Sequence, residues 1–228
     1  MPVWNEERRI ALVIDDLRQH TSHDVLVVDD GSTDRTCAVA EGKGCVVIRH
    51  ATNAGVGAAI RTGITYAIQH GYEVIAFVSG SGKTPAAFLS DLVNPILTEG
   101  CDFVQGSRYL GGGKATNLPF HRSLGTRLYS AVFSLFLGRT VTDGTSGFRA
   151  IRVAMLKDPR FLIDQPWLNR YELEPYLYYK AVEFGYKVRE APVEIVYPAA
   201  RDYTKMRVFV DWWRIVRPLF LLKLGLRK

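Results

Sequence analysis

Cysteine is scarce in this sequence: Cys37, Cys45 and Cys101 are all there are, and no two form a C-x-x-C pair. An odd, scattered set argues against a disulfide framework, and the five dispersed histidines add no zinc-ligand spacing. Reduced thiols in a cytoplasmic protein are the expectation. Long apolar runs are missing too, since no stretch supplies the ~20 uncharged residues of a membrane span. No basic-then-apolar leader opens the chain, which argues against secretion. Repeats and low-complexity tracts are absent. What remains is 228 residues, 47% hydrophobic and 23% charged, with 29 Lys and Arg against 23 Asp and Glu. That balance of +6 and that apolar content exclude intrinsic disorder and suit one domain with a sizeable core. No nucleic-acid partner is expected.

Val25–Val28 is a short β-branched run closed by Asp29-Asp30-Gly31-Ser32, the pattern of a buried strand ending in a polar loop. Val46-Val47-Ile48 and Val74–Val78 repeat it. Between these runs, Arg8–His20 and Ala54–His70 carry apolar residues at helical spacing, and a further helix is expected over about Leu118–Leu137. Strands alternating with helices of this length predict a mainly parallel sheet covered on both faces, with ligands at the carboxyl ends of the strands. The loops opening at Asp29, Asn53, Ser79 and Gln105 are therefore the ones to watch. Pro2–Glu7 reads as a strand-to-helix loop, yet no strand precedes it, so the first strand is expected to be missing upstream of Pro2.

Six stretches in order carry a resemblance: Pro2-Val3-Trp4-Asn5-Glu6-Glu7, Val27–Asp34, Asn53–Ala59, Gly106-Ser107-Arg108-Tyr109, Asp143–Arg149 and Tyr203-Thr204-Lys205-Met206. Together they resemble a family 2 glycosyltransferase of the GT-A fold, in the branch of the dolichyl- and polyprenyl-phosphate sugar synthases. The resemblance implies a mixed, mainly parallel α/β sheet flanked by helices over residues 1–205. It implies a nucleotide sugar as donor and a lipid phosphate as acceptor. Pro2, Trp4, Glu6, Asp30 and Ser32 would then hold the nucleotide base and ribose, although Asp29-Asp30 also reads as a plain helix cap. Asn53, Gly55 and Gly57 would let the donor diphosphate approach backbone, or form an ordinary glycine turn. Arg108 and Arg122, with Thr126 four residues on, would receive the acceptor phosphate, whose oxygens suit the planar guanidinium fork. Ser146 and Arg149 would line the sugar side, and Arg201 and Lys205 would reach the phosphates late in the chain. Asp143 reads equally as a sugar contact or a helix cap. Glu172 and Glu174 lie near the acid that such enzymes carry before the last helix.

One departure stands out. After a strand where the family carries Asp-x-Asp for Mg²⁺ or Mn²⁺, this sequence has Ser79-Gly80-Ser81-Gly82-Lys83-Thr84, and no acid occurs between Glu73 and Asp91. Neutral hydroxyls are poor ligands for a hard cation, so a metal would have to draw ligands from outside this loop, with Asp29, Asp30 and Asp143 as candidates. Lys83 is the expected stand-in for the ion, and a solvated loop lysine is the plain reading. The same stretch resembles the end of a P-loop, a rival in which the chain binds a nucleotide without sugar chemistry. Two further rivals are transfer to a soluble hydroxyl, which needs a placed Asp or Glu base, and a relic that binds nucleotide sugar without turnover. Residues 206–228 interleave Arg207, Arg214, Arg217, Lys223, Arg227 and Lys228 with aromatics. They predict a basic amphipathic helix on an anionic leaflet, or a core helix, in a chain peripheral to the cytoplasmic face of the membrane.

Overall fold

The protein is described here by a computed structural model covering residues 1–197 and 208–227. Its strands are β1 (Pro2–Val3), β2 (Leu26–Asp29), β3 (Val46–Arg49), β4 (Val74–Phe77), β5 (Phe103–Ser107), β6 (Lys114–Thr116), β7 (Arg149–Arg152), β8 (Val188–Pro192) and β9 (Glu194–Val196). The helices are α1 (Ile10–His20), α2 (Thr36–Gly42), α3 (Val56–Gln69), α4 (Leu89–Thr98), α5 (Phe120–Leu137), α6 (Val153–Leu156), α7 (Leu173–Glu183) and α8 (Val208–Lys223). The helices expected from Arg8, Ala54 and Leu118 are α1, α3 and α5, each starting two residues later than the periodicity alone suggested.

Strands β1, β2 and β3 pair in parallel, with Val28 beside both Pro2 and Ile48. A second group runs β4-β7-β5-β8, with β7 antiparallel to both neighbours and β5 parallel to β8. A short parallel pair, β6 and β9, stands apart. Pro2 and Val3 are thus strand rather than loop, a correction to the sequence reading: the parallel ladder continues through Met1, whose amine donates to the Leu26 carbonyl at 2.7 Å. β1 and β4 are both edge strands, and an apolar groove of ≈ 600 Å³ lined by Val28, Ile60, Ile75 and Ala76 lies between the two groups.

The amphipathic helices supply the core on either side. Ile10, Val13, Ile14 and Leu17 bury one face of α1, while Ile60, Ile64 and Ala67 do so for α3. A large aromatic cluster joins Phe103, Phe133, Tyr176 and Tyr178 to Leu219 and Leu222 of α8. The α8 helix is therefore part of the core along one side. Its Arg217 reaches the buried Glu172 carboxylate at 2.6 Å, and Phe220 meets Phe136 edge-on with ring centres 5.0 Å apart. Trp213 on the other side is 59% exposed, and Phe220, despite its contact with Phe136, is 41% exposed. Among the described residues, no helix is long and apolar enough to cross a membrane.

Candidate active site

Loops at the carboxyl ends of β1, β2, β4 and β5 meet on one side of the sheet, as parallel topology dictates. The Asp30 carboxylate there is heavily occupied. It accepts from the N–H groups of Ala54 (2.9 Å) and Gly55 (2.8 Å), and His50 Nδ1 lies 2.8 Å away. With 3% of its surface exposed, Asp30 shapes the Asn53–Gly57 loop before it can serve a base or ribose. Ser32 is similarly internal, donating to Asp29 and accepting the Asn5 N–H at 2.8 Å. Trp4, by contrast, is 39% exposed on the same rim. Pro2 is held in β1, and Glu6 donates its N–H to Thr36 Oγ1 at 2.7 Å. Asn53 is half-buried beside Gly31, where an added Cβ would lie 2.7 Å from the Asn53 nitrogen.

The glycines of the next loop are required by a different neighbour from the one expected. A Cβ on Gly55 would stand 2.3 Å from the Asn169 carbonyl oxygen, and one on Gly57 would stand 2.0 Å from that of Leu168. The chain at 168–170 fills the space that a side chain at either glycine would need. Ala58 N–H donates to Asn169 O at 3.0 Å, and Arg61 clamps the same segment through the Asn169 side chain at 2.6 Å.

Arg108 is 5% exposed, and four of its guanidinium bonds are internal: two to Asp143 (2.6 and 2.8 Å), one to Thr145 (2.7 Å) and one to Tyr197. Burial opposes its charge, and the Asp143 carboxylate more than offsets that, so its pKa sits above the ordinary arginine value. Asp143 is wholly buried, and Glu190 accepts the N–H groups of Thr142 and Asp143 behind it. It is the buried ion-pair partner of Arg108 and also accepts from Thr145. Arg149 is also internal, bonded to Ser146 O and to Glu174 at 3.1 Å, and Ser146 is 1% exposed. Both side chains are held by protein partners in the interior beside Asp143. Thr126 hydrogen-bonds Tyr109 at 2.5 Å. Arg122 lies with its guanidinium 5.3 Å from the centre of the Tyr197 ring, at the mouth of the cluster.

The loop after β4 completes the arrangement. Ser79 and Ser81 hydrogen-bond each other at 2.7 Å, and a Cβ on Gly80 would meet Val3 at 2.5 Å and Glu6 at 3.8 Å. The loop thus rests against the β1 rim on one side. On the other, Lys83 accepts the Val196 N–H at 2.8 Å through its carbonyl, next to Tyr197. Its amine is pushed down to about 8, first by burial and then by Arg122, with Arg9 and Arg108 adding and Glu6 opposing. Pro85 and a 3₁₀ turn at Ala86–Phe88 separate Lys83-Thr84 from α4, whereas a P-loop opens its helix at that pair. The P-loop reading is overturned. Arg201 and Lys205 lie outside the described residues.

Among the described residues a divalent ion does not fit the donor chemistry. Ser79 and Ser81 offer hydroxyls, Asp29 accepts from Ser32 and lies 3.4 Å from Arg49, Asp30 and Asp143 are occupied as above, and no group of three His, Cys, Asp or Glu is placed for a metal.

Strand-end loops meeting on one side of a mixed α/β sheet of this order are the arrangement of the GT-A fold. The chain belongs to glycosyl transferase family 2, whose model matches residues 1–158, and it is a hexosyltransferase. It is 31% identical over 197 residues to an uncharacterised protein of Methanocaldococcus jannaschii, covering 86% of this chain and 80% of that one. It is 26% identical over 242 residues to the UDP-N-acetylglucosamine–dolichyl-phosphate N-acetylglucosaminyltransferase of Methanococcus voltae, covering 99% and 95%. Against the polyprenol monophosphomannose synthase of Mycolicibacterium smegmatis it is 29% identical, covering 85% and 74%. Glucosyl-3-phosphoglycerate synthase of Mycobacterium tuberculosis, solved with Mn²⁺, UDP-glucose and phosphoglyceric acid, superposes with a TM-score of 0.72 at 23% identity. That match covers all of this chain and 79% of the other and speaks to fold.

Proposed function

We propose that this enzyme transfers a hexose from a nucleotide diphosphate sugar to a polyprenyl phosphate at a membrane surface. The observation that carries the reading is the outer face of α5. Phe120, Leu124, Leu128 and Leu135 are 83%, 58%, 64% and 79% exposed at helical spacing, a stripe that no core explains. Arg122 lies in the first turn of the same helix, on the side turned toward Tyr197 rather than within the stripe, so α5 carries a cation for a phosphate head beside an apolar face for its tail. The related dolichyl- and polyprenyl-phosphate transferases support the same acceptor class. A soluble hydroxyl acceptor needs a carboxylate base, and Asp143 is held by Arg108 instead.

In the proposed reaction an ionised acceptor-phosphate oxygen attacks the anomeric carbon. The bond from that carbon to the donor diphosphate breaks, and the nucleoside diphosphate leaves with the electron pair. The anomeric centre inverts in one displacement, and no protein base is required. Arg122 aligns the acceptor phosphate; Arg108, locked on Asp143, positions Tyr197 beneath it. Arg122→Ala should lower transfer by about ten- to a hundredfold, the loss of one charge-assisted contact, while nucleotide binding stays within error. Radiolabelled UDP- and GDP-sugars offered with either polyprenyl phosphate or 3-phosphoglycerate test the acceptor. Label should move into the chloroform-extractable fraction; transfer to phosphoglycerate alone would overturn the lipid reading.

Membrane contact is tested separately by flotation with anionic liposomes. Leu124→Glu combined with Leu128→Glu should abolish flotation and leave the melting temperature nearly unchanged, because both side chains face outward. Removing α8 is a poor test, since Leu219 and Leu222 would leave the core with it. Equal flotation by the double variant would place the contact elsewhere, with Trp213 and Phe220 as the next residues to change.

A further inference from the structure

We infer that α5 and α8 together form one platform that lies on an anionic lipid leaflet, with the exposed aromatic face of α8 as its second half. The inference rests on the membrane-surface reading above and adds to it a second helix and the headgroup charge that the platform selects. The two helices run parallel and side by side. A Cβ on Gly125 would meet the Trp212 ring at 3.0 Å, Tyr129 donates to the Ile215 carbonyl at 3.3 Å, and Phe136 meets Phe220. At about 100° per residue, Phe120, Leu124, Leu128 and Leu135 fall within an arc of about 80° on α5. Trp213, Phe220 and Leu224, whose N–H still donates to Phe220 at 3.0 Å, fall within an arc of about 40° on the line of α8. Round α5 the order is apolar stripe, α8-facing positions, then the core positions Ser130 and Phe133. Round α8 the matching positions follow in the opposite sense and end at the buried Leu219 and Leu222. For parallel neighbours this mirrored order turns both apolar faces to one side, away from the core.

Charge selects what covers this surface. No acid occurs between Asp102 and Asp143, a span that holds all of α5. From Val208 to Arg227 the single acid is Asp211, which is buried and accepts from Arg214 at 2.9 Å. Exposed cations flank the apolar faces instead. Arg127 stands at the edge of the α5 stripe remote from α8, its guanidinium 4.4 Å from the centre of the Tyr109 ring, and Lys223 and Arg227 close the other end. A two-fold contact between copies would set one basic platform against another, with no exposed acid on either helix to answer it. A leaflet containing phosphatidylglycerol supplies the anions and takes up the apolar side chains at once. Trp213 suits that boundary, where an indole keeps its ring among acyl chains and its N–H in water.

Tryptophan emission with vesicles of phosphatidylcholine and phosphatidylglycerol, brominated on their acyl chains, tests the geometry. Wild-type emission should be quenched on binding. Trp213→Phe should lose most of that quenching and still float, because Trp4 sits on the β1 rim and Trp167 and Trp212 pack against protein. Trp213→Glu combined with Leu224→Glu should weaken binding by about tenfold or more and leave the melting temperature nearly unchanged, since both side chains face outward. Arg127→Ala and Lys223→Ala should each weaken binding to phosphatidylglycerol vesicles about fivefold and leave binding to pure phosphatidylcholine as it was. Full quenching in Trp213→Phe, or wild-type flotation by the double α8 variant, overturns the platform; the α5 contact is then judged by Leu124→Glu with Leu128→Glu alone. A dimer in sedimentation velocity that the double α8 variant breaks overturns it in favour of self-association. Wild-type protein that floats with neither lipid overturns the membrane-surface reading itself.

Discussion

Asp143→Ala should cost roughly 3–5 kcal/mol of stability, because it strands the Arg108 guanidinium in the interior without its counter-charge. The pair is deeply buried, with side-chain exposures of 3% and 0%, so solvent does little to screen it. Asp143 also accepts from the backbone of Arg108 (3.2 Å) and from Thr145 Oγ1 (3.0 Å), and the substitution releases those donors together. Against a typical margin of about 5–15 kcal/mol, such a loss is large enough to shift a urea midpoint by a clearly measured amount. Transfer should vanish with it, since Tyr197 loses its Arg108 partner and Arg122 loses the ring it lies on. A double change, Arg108→Met with Asp143→Leu, should recover much of the stability, because replacing both ions with apolar groups removes the stranded charge. Transfer should stay absent in that protein. If the double variant remains as unstable as Asp143→Ala, the ion pair is not the source of the effect.

Two glycines of α3 should respond to alanine with opposite signs. At Gly57 the new methyl would lie 2.0 Å from the Leu168 carbonyl and 2.5 Å from that of Arg170, both backbone atoms that no rotamer change can move. The 168–170 segment must shift, and it is tied down by Ala58, Arg61 and the buried Leu168. A loss of about 3 kcal/mol or more is expected, at or beyond the upper end of ordinary overpacking. Gly63, two turns later, meets only Val28 at 3.9 Å and Ile75 at 4.0 Å, which is ordinary contact. There Gly→Ala should stabilise by about 0.5–1 kcal/mol through helix propensity. Thermal melts of the two variants side by side decide it, and a mild effect at Gly57 would show that the 168–170 segment yields easily.

These residues also show where local sequence information runs out. The alternation of β-branched runs with helical periodicity was enough for β2, β3, β4, α1, α3 and α5, because each is an element whose buried face repeats over a few residues. Gly57 was legible as a position that must be small, yet its neighbour is more than a hundred residues away, and spacing cannot name it. Arg108 and Arg149 were legible as functional-looking arginines in a recognisable order. Their partners, Asp143 across 35 residues and Glu174 across 25, turned both into internal supports. The apolar stripe of α5 is written plainly in Phe120, Leu124, Leu128 and Leu135, but a helical period does not say which face the rest of the chain will cover.

By itself, then, the sequence determined the alternating α/β order, the motif series of a family 2 glycosyltransferase and the absence of acids after β4. Those are properties of neighbouring residues and of their spacing. The tertiary structure alone decided which charges are buried together, which glycine faces backbone instead of ligand, and which side of α5 and α8 is left to solvent. The physical reason is that burial and pairing depend on contacts between distant segments: a carboxylate and a guanidinium become an ion pair only when folding removes both from water at the same place.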